Sequence, residues 1–175
     1  MYTGTERNNE VATLCTEIIN SGYTFANVPY AYLFSADNDK NGAQNEFIFP
    51  IRFDGLFTTS GITNYLVHAS ILSTMNASDF GVDGGWKGLR VRREFVNKFT
   101  TGDSRAMFHT DGQTLDIDQV SNEAQGYGFT KWTNKKSNGQ NGSNPTGNFV
   151  DTDFPMFRLA DAYLMYAELA VRGHG

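Results

Sequence analysis

Between Pro155 and Arg172 the chain reads PMFRLADAYLMYAELAVR, and its apolar positions form two stripes. Phe157, Ala160, Leu164, Ala167 and Val171 step by three and four, while Leu159, Tyr163, Tyr166 and Ala170 run beside them. This pattern predicts a helix over about 155–172 that is buried on two sides. Arg158, Asp161, Glu168 and Arg172 share one narrow edge. Pro155 suits a first helical turn and Gly173 the position just past the last one. At the other end, Thr3 and Glu6 have capping-box spacing, and Val11, Leu14, Cys15, Ile18 and Ile19 make one apolar face that stops at Ser21-Gly22. A first helix is expected over about 5–21. An apolar final helix with nothing after it to cover it implies a chain that is part of a longer one.

The stretch between the helices, about 23–152, reads as loops with short strands. Tyr23, Phe25, Tyr30, Tyr32 and Phe34 crowd together without a helical period, and Pro29 interrupts them. Phe47, Phe49, Ile51 and Phe53 alternate as a strand that Pro50 confines to an edge. From Gly55 through Tyr65 to Gly85 the periodicity is weak and loop is expected, with Asp83-Gly84-Gly85 as a turn. Leu89 to Phe99 returns to helix through Val91, Phe95 and Phe99. Short strands are expected through Met107, Phe108 and His109 and around Tyr127 and Phe129, and Lys135 to Asn148 reads as a mobile surface loop.

Composition narrows the class. At 175 residues, with 39% hydrophobic and 14% aromatic residues, the chain supports one globular core. The net charge of −5 argues against a polyanionic partner. The basic run Lys87, Arg90, Arg92, Arg93 and Lys98 therefore reads as a solvated face, not a nucleic-acid site. Cys15, the single cysteine, excludes an internal disulfide and a cysteine metal cage. No uninterrupted apolar run is long enough to suggest a membrane span.

Two clusters invite a chemical reading. Asp37-Asn38-Asp39-Lys40-Asn41-Gly42 matches the first half of a calcium loop, but Ile48 stands where a bidentate glutamate belongs. A polar Asx turn accounts for it as well. Asp111, Asp116 and Asp118 with nearby His109 could in principle serve a hydrolase or a metal, yet the spacing is not diagnostic of either. No phosphate loop, nucleophile elbow or zinc pattern is present.

Three runs together give a resemblance. They are Ile18-Ile19-Asn20-Ser21-Gly22-Tyr23 followed by Leu33-Phe34, Asp37-Asn38 and Asn45-Glu46-Phe47-Ile48-Phe49; Gly85-Trp86 leading on to Phe99 and Asp103-Ser104-Arg105; and Phe154-Pro155 with Arg158 to Glu168. In order and spacing the chain resembles the SusD/RagB family, outer-membrane glycan-binding lipoproteins that Bacteroidetes pair with TonB-dependent transporters. The resemblance implies a mainly α fold: part of an α/α superhelix of tetratricopeptide type, with long irregular loops and a few short strands. The 175 residues would be a single truncated domain of it, internal to C-terminal. It further implies non-catalytic capture of oligosaccharides or polysaccharides at the outer-membrane surface, for delivery to a SusC-like transporter. No cofactor or nucleic acid is implied, and the membrane would be reached only through a lipid anchor outside this chain. A second reading is a scaffold or docking piece that contacts the transporter, its cargo a peptide or held by parts of the protein outside this chain.

A sugar offers polar edges and apolar ring faces, so its protein site needs exposed aromatic platforms beside amide and hydroxyl groups. Trp86, set among Gly84, Gly85 and Gly88, and Tyr65, with Asn64 and His68 close by, are the ligand-binding candidates. The structural alternatives are that Trp86 plugs the top of a Leu89 helix and that Tyr65 packs inward. Trp132 is either a rim aromatic or a core plug. Arg158, Asp161, Arg105, Asp103 and Glu46 suit salt bridges and backbone caps.

Overall fold

The computed structural model describes residues 7–173, so the Thr3–Glu6 capping box lies outside the described residues. Helix α1 spans Asn8–Ile19, α2 Ile62–Ser70, α3 Arg93–Val96 and α4 Leu159–Val171. Strand β1 runs Phe47–Ile51, β2 Arg90–Val91, β3 Phe108–His109, β4 Tyr127–Phe129 and β5 Phe154–Arg158. Short 3-10 helices lie at Tyr30–Phe34, Ala43–Glu46 and Ala77–Phe80. The strands form an antiparallel pair, β1–β5, and a small antiparallel sheet in the order β2-β4-β3. The architecture is mixed and helix-rich, with irregular backbone in between.

Several sequence expectations are corrected. The final helix starts at Leu159, not near Pro155, because Phe154–Arg158 pairs with β1 and sets Pro155 opposite Pro50. A two-stranded ribbon tolerates both prolines, since each strand keeps an unpaired edge. The Arg158 N–H then donates to Asp161 Oδ2 at 2.7 Å and opens α4. Only one flank of α4 is buried: Leu159, Ala162 and Leu169 face inward, while Leu164 is 68% and Val171 90% exposed. The expected Leu89–Phe99 helix reduces to α3, because Val91 pairs with Tyr127 in the sheet. Phe95 and Phe99 still share a face and meet Phe108 edge-on at 6.1 and 5.3 Å. Helix α2 also occupies a stretch expected to be loop.

The core gathers Leu33, Phe34, Phe47, Val67, Ile71, Trp132 and Val150. Trp132 is buried, so the core-plug alternative holds. Its ring meets Phe34 edge-on at 4.9 Å and stacks on Phe154 at 5.5 Å. Around this centre the irregular segments are fastened by side chains that stand in for a ladder. Asn38, fully buried, donates through Nδ2 to the Leu33 and Asp153 carbonyls at 3.0 Å, and its Oδ1 accepts the Asp153 N–H at 3.1 Å. Asn134, also fully buried, donates to the Gly81 carbonyl at 3.0 Å and accepts the Asp151 N–H at 3.0 Å.

The calcium-like stretch belongs to the same fastening. The Asp37 carboxylate accepts from the Ser35 hydroxyl at 2.9 Å, Asn41 Nδ2 at 3.2 Å, and the Ser137 N–H at 2.9 Å. Burial alone would raise its pKa, but these bonds and one from the Ser137 hydroxyl outweigh burial and lower it. Ser137 thereby anchors the Lys135–Asn148 stretch, which is irregular yet pinned, not the mobile loop expected. The Tyr32 hydroxyl also donates to the Ser137 carbonyl at 3.1 Å, and Gly142 N–H to the Asn134 carbonyl at 2.8 Å. Glu46 and Arg158, both expected in salt bridges or caps, pair with each other at 3.2 Å.

Asn38→Ala strands three buried backbone groups, and a loss of about 2–4 kcal/mol is expected; an unchanged denaturant midpoint would contradict the fastening role. Lys131 carries a pH signature. Its ammonium lies 3.9 Å from the centre of the Phe34 ring, and burial, followed by the charge of Arg158, pulls its pKa from 10.5 down to about 8. The folded value lies below the unfolded one, so between about pH 8 and 10.5 the unfolded chain holds the proton more tightly. Stability from this group therefore rises with pH through that window and is lowest beneath it. Lys131→Met is expected to melt higher than the parent at pH 7, with the gap narrowing towards pH 10.5; equal melting at pH 7 would count against it.

Candidate functional site

Helix α2 is the foundation of the site. Gly61 precedes it at φ 144°, where a Cβ would come within 1.9 Å of the Phe53 ring, so only glycine fits. The helix escaped sequence reading because its inward face is mostly polar or small: Thr63, Val67, His68, Ala69 and Ser70 are buried alongside Asn64. No apolar period marks such a face.

A second segment crosses the end of α2. The Trp86 N–H donates to the His68 carbonyl at 2.8 Å and the Leu89 N–H to the Ala69 carbonyl at 3.0 Å. These bonds satisfy carbonyls that a helix end leaves without intrahelical partners. Gly85 lies so close that a Cβ would stand 2.5 Å from the Ile71 carbonyl oxygen. Trp86 is thus held flat over the helix, its ring stacked on the His68 imidazole at 4.7 Å with 14° between planes. Tyr65 stands beside it at 6.4 Å and 50°. Trp86 is 56% and Tyr65 52% exposed.

Both rings border an open cleft of about 520 Å³. Thr59, Ser60 and Gly61 line it before α2, Asn64 lies on α2, and Asn148 and Phe149 complete it. The last two were not anticipated: they sit at the end of the stretch expected to be mobile, and their sequence carries no signal of the cleft. They are positioned by bonds between the 53–55 and 144–153 segments. Asn144 Nδ2 donates to the Gly55 carbonyl at 2.7 Å, the Gly55 N–H to Asp151 Oδ1 at 2.7 Å, and the Phe53 N–H to Asp153 Oδ1 at 2.8 Å.

The four expected ligand residues therefore come together, with unequal parts. Tyr65 and Trp86 contribute half-exposed rings, and Asn64 lies in the lining as a mostly buried residue whose Oδ1 is enclosed and has no hydrogen-bond partner. His68 is placed differently from the expectation that it meets ligand: it is 1% exposed and lies under Trp86. The alternative of Trp86 plugging a Leu89 helix does not hold, since no helix begins there.

Chemically the lining offers aromatic faces, amides and hydroxyls, and no lining residue carries a carboxylate, imidazole or thiol. That set can stack on and hydrogen-bond a flat, hydroxylated molecule; it does not supply the carboxylate pair that glycoside hydrolysis uses. Of the acids considered earlier, Asp116 and Asp118 share a small surface pocket with Arg92 and Arg93, away from the cleft lining. Asp116 takes the Arg93 guanidinium, and His109 Nε2 meets the Thr74 hydroxyl at 2.9 Å. Among the described residues no group of three or more His, Cys, Asp and Glu side chains is placed to hold a metal ion. Within the basic run, Arg90 donates to the carbonyls of Val120, Asn122 and Gln125, and Lys87, Arg92 and Arg93 pair with Glu123, Glu94 and Asp116.

The model of the SusD family matches residues 111–172, a segment that contains Asn148 and Phe149 but neither aromatic platform. Over its whole length the chain is 29% identical to the starch-binding protein SusD of Bacteroides thetaiotaomicron, and it spans 40% of that protein. Among solved structures, surface glycan-binding protein A from Bacteroides thetaiotaomicron superposes with a TM-score of 0.59 at 19% identity, over 97% of this chain and 40% of that one. The same protein in complex with laminarihexaose gives 0.59 at 18% identity, with the same coverage. A SusD superfamily protein from Parabacteroides distasonis gives 0.60 at 20% identity, over 94% of this chain and 34% of that one. At these identities the structural likeness shows the fold.

Gly85→Ala is expected to push the Trp86 segment off α2, costing about 1–3 kcal/mol and moving the Trp86 indole signal in NMR spectra. A native melting curve with that signal in place would show that the close approach is not needed.

Proposed function

This chain is related to the SusD family, and from that premise we propose that it binds an oligosaccharide in the Trp86–Tyr65 cleft without transforming it. The observation that carries the proposal is the Trp86 ring, stacked on His68 yet 56% exposed, in the lining of a cleft of about 520 Å³ rich in amides and hydroxyls. The relatives support the ligand class: one is named for binding starch, and another was solved with laminarihexaose. Both are named for binding a glycan and not for a reaction, which agrees with a lining that holds no catalytic acid.

Within the same proposal, capture takes place at the outer-membrane surface on a lipid-anchored protein, and the sugar passes to a SusC-like TonB-dependent transporter. The α1–α4 pair would then belong to an α/α superhelix of tetratricopeptide type. A second reading, docking to the transporter or to neighbouring helices, has one observation in its favour. Helix α4 leaves Tyr163, Leu164, Met165 and Val171 exposed, more apolar surface than a solvated helix needs.

Titration of the chain with laminarihexaose and with maltohexaose, a starch fragment, tests the first reading. Saturable binding to at least one is expected, with no shorter sugar released, and Trp86→Ala is expected to weaken it by about tenfold or more with the melting temperature little changed. Binding that survives Trp86→Ala, or cleavage of the sugar, would overturn it; binding to neither hexaose would favour the docking reading.

A further inference from the structure

An exposed tryptophan ring can rotate about two side-chain torsions, and each alternative orientation would present a different surface to the cleft. Fixing its plane requires a partner beneath it. His68 supplies that partner with a ring that is 1% exposed and parallel to the indole within 14° at 4.7 Å. The imidazole is itself held. Nδ1 lies 2.7 Å from the Gly84 carbonyl oxygen, and since a carbonyl only accepts, Nδ1 carries the hydrogen and donates. Gly84 stands two residues before Trp86, so the imidazole ties down the backbone that delivers the indole as well as the indole itself. Nε2 is buried and without a partner, and His68 is not among the cleft-lining residues.

We infer that His68 is a positioning residue: it never touches the sugar, and it sets the plane in which Trp86 meets it. The inference rests on the binding site proposed above. It also accounts for the residue type. Phenylalanine would supply the flat face without a donor for Gly84, and asparagine a donor without the face; histidine supplies both from one ring. His68 is thus the residue through which α2 fixes the plane of the Trp86 ring, while Tyr65 of the same helix stands beside it.

NMR reads this directly, because the chain has two tryptophans, Trp86 and Trp132, and Trp86→Phe assigns their indole signals. In the parent, cross-relaxation between the His68 ring and the Trp86 indole is expected. In His68→Asn the Trp86 signal is expected to shift while that of Trp132 stays, and affinity for the bound hexaose to fall about three- to tenfold. His68→Phe keeps the stack and is expected to recover most of that affinity. The inference is overturned if the parent lacks the cross-relaxation, if the Trp86 signal stays put in His68→Asn, or if affinity falls with that signal unmoved. Should His68→Asn fail to fold, the parent spectrum and His68→Phe decide. Should neither hexaose bind the parent, the binding reading fails, while the indole signals still decide whether His68 positions Trp86.

Discussion

Buried backbone groups need hydrogen-bond partners, and the irregular segments between the helices and strands of this chain must find them outside any ladder. Much of the burden falls on a few polar side chains deep in the core. Asn38 and Asn134, both fully buried, each bridge backbone from distant parts of the sequence. Thr152 adds a bond from its hydroxyl to the Thr133 carbonyl at 2.6 Å. The aromatic core of Phe34, Trp132 and Phe154 supplies the apolar burial, but it could not by itself hold irregular segments in one arrangement. Direction-specific bonds to buried amides can.

The candidate site depends on that frame. Asp151 and Asp153 hold the backbone at Gly55 and Phe53, so the residues before α2 and those at Asn148–Phe149 meet around one opening. The C-terminal end of α2 then receives the Trp86 segment through its own carbonyls. The lining is held by bonds within the chain itself, and a lining ordered in advance limits the ordering cost of binding. Trp86 and Tyr65, tilted by 50°, supply ring faces at the edge of the opening, with amides and hydroxyls around them.

How much of this is legible in the sequence follows from what each element buries. Helices α1 and α4 and the β1 strand announce themselves through apolar period. The start of α4 does not, because Pro155 is equally at home in a first helical turn and in a two-stranded ribbon, and only the β1 partner decides between them. Helix α2 is hidden because Thr63, Asn64, His68 and Ser70 are buried polar residues, whose role is visible only once their surroundings are known. For the site, glycines flanking Trp86 pointed to an approachable ring, and proximity in sequence brought in Tyr65, Asn64 and His68. That His68 lies beneath the indole, and that Asn148 and Phe149 close the cleft, are products of tertiary contacts that no local pattern encodes. The Asp37–Gly42 turn shows the reverse case: a motif-like spacing whose carboxylate is already committed to Ser35, Asn41 and Ser137.

Mapping of amide and side-chain shifts while laminarihexaose or maltohexaose is titrated into the labelled chain tests the central claim most directly. The expected perturbations fall on Thr59 to Gly61, Asn64, Tyr65, Trp86, Asn148 and Phe149, and saturate together. Perturbations gathered instead along the groove between α1 and α4, at Val11, Met165 and Leu169, with the Trp86 region silent, would contradict it.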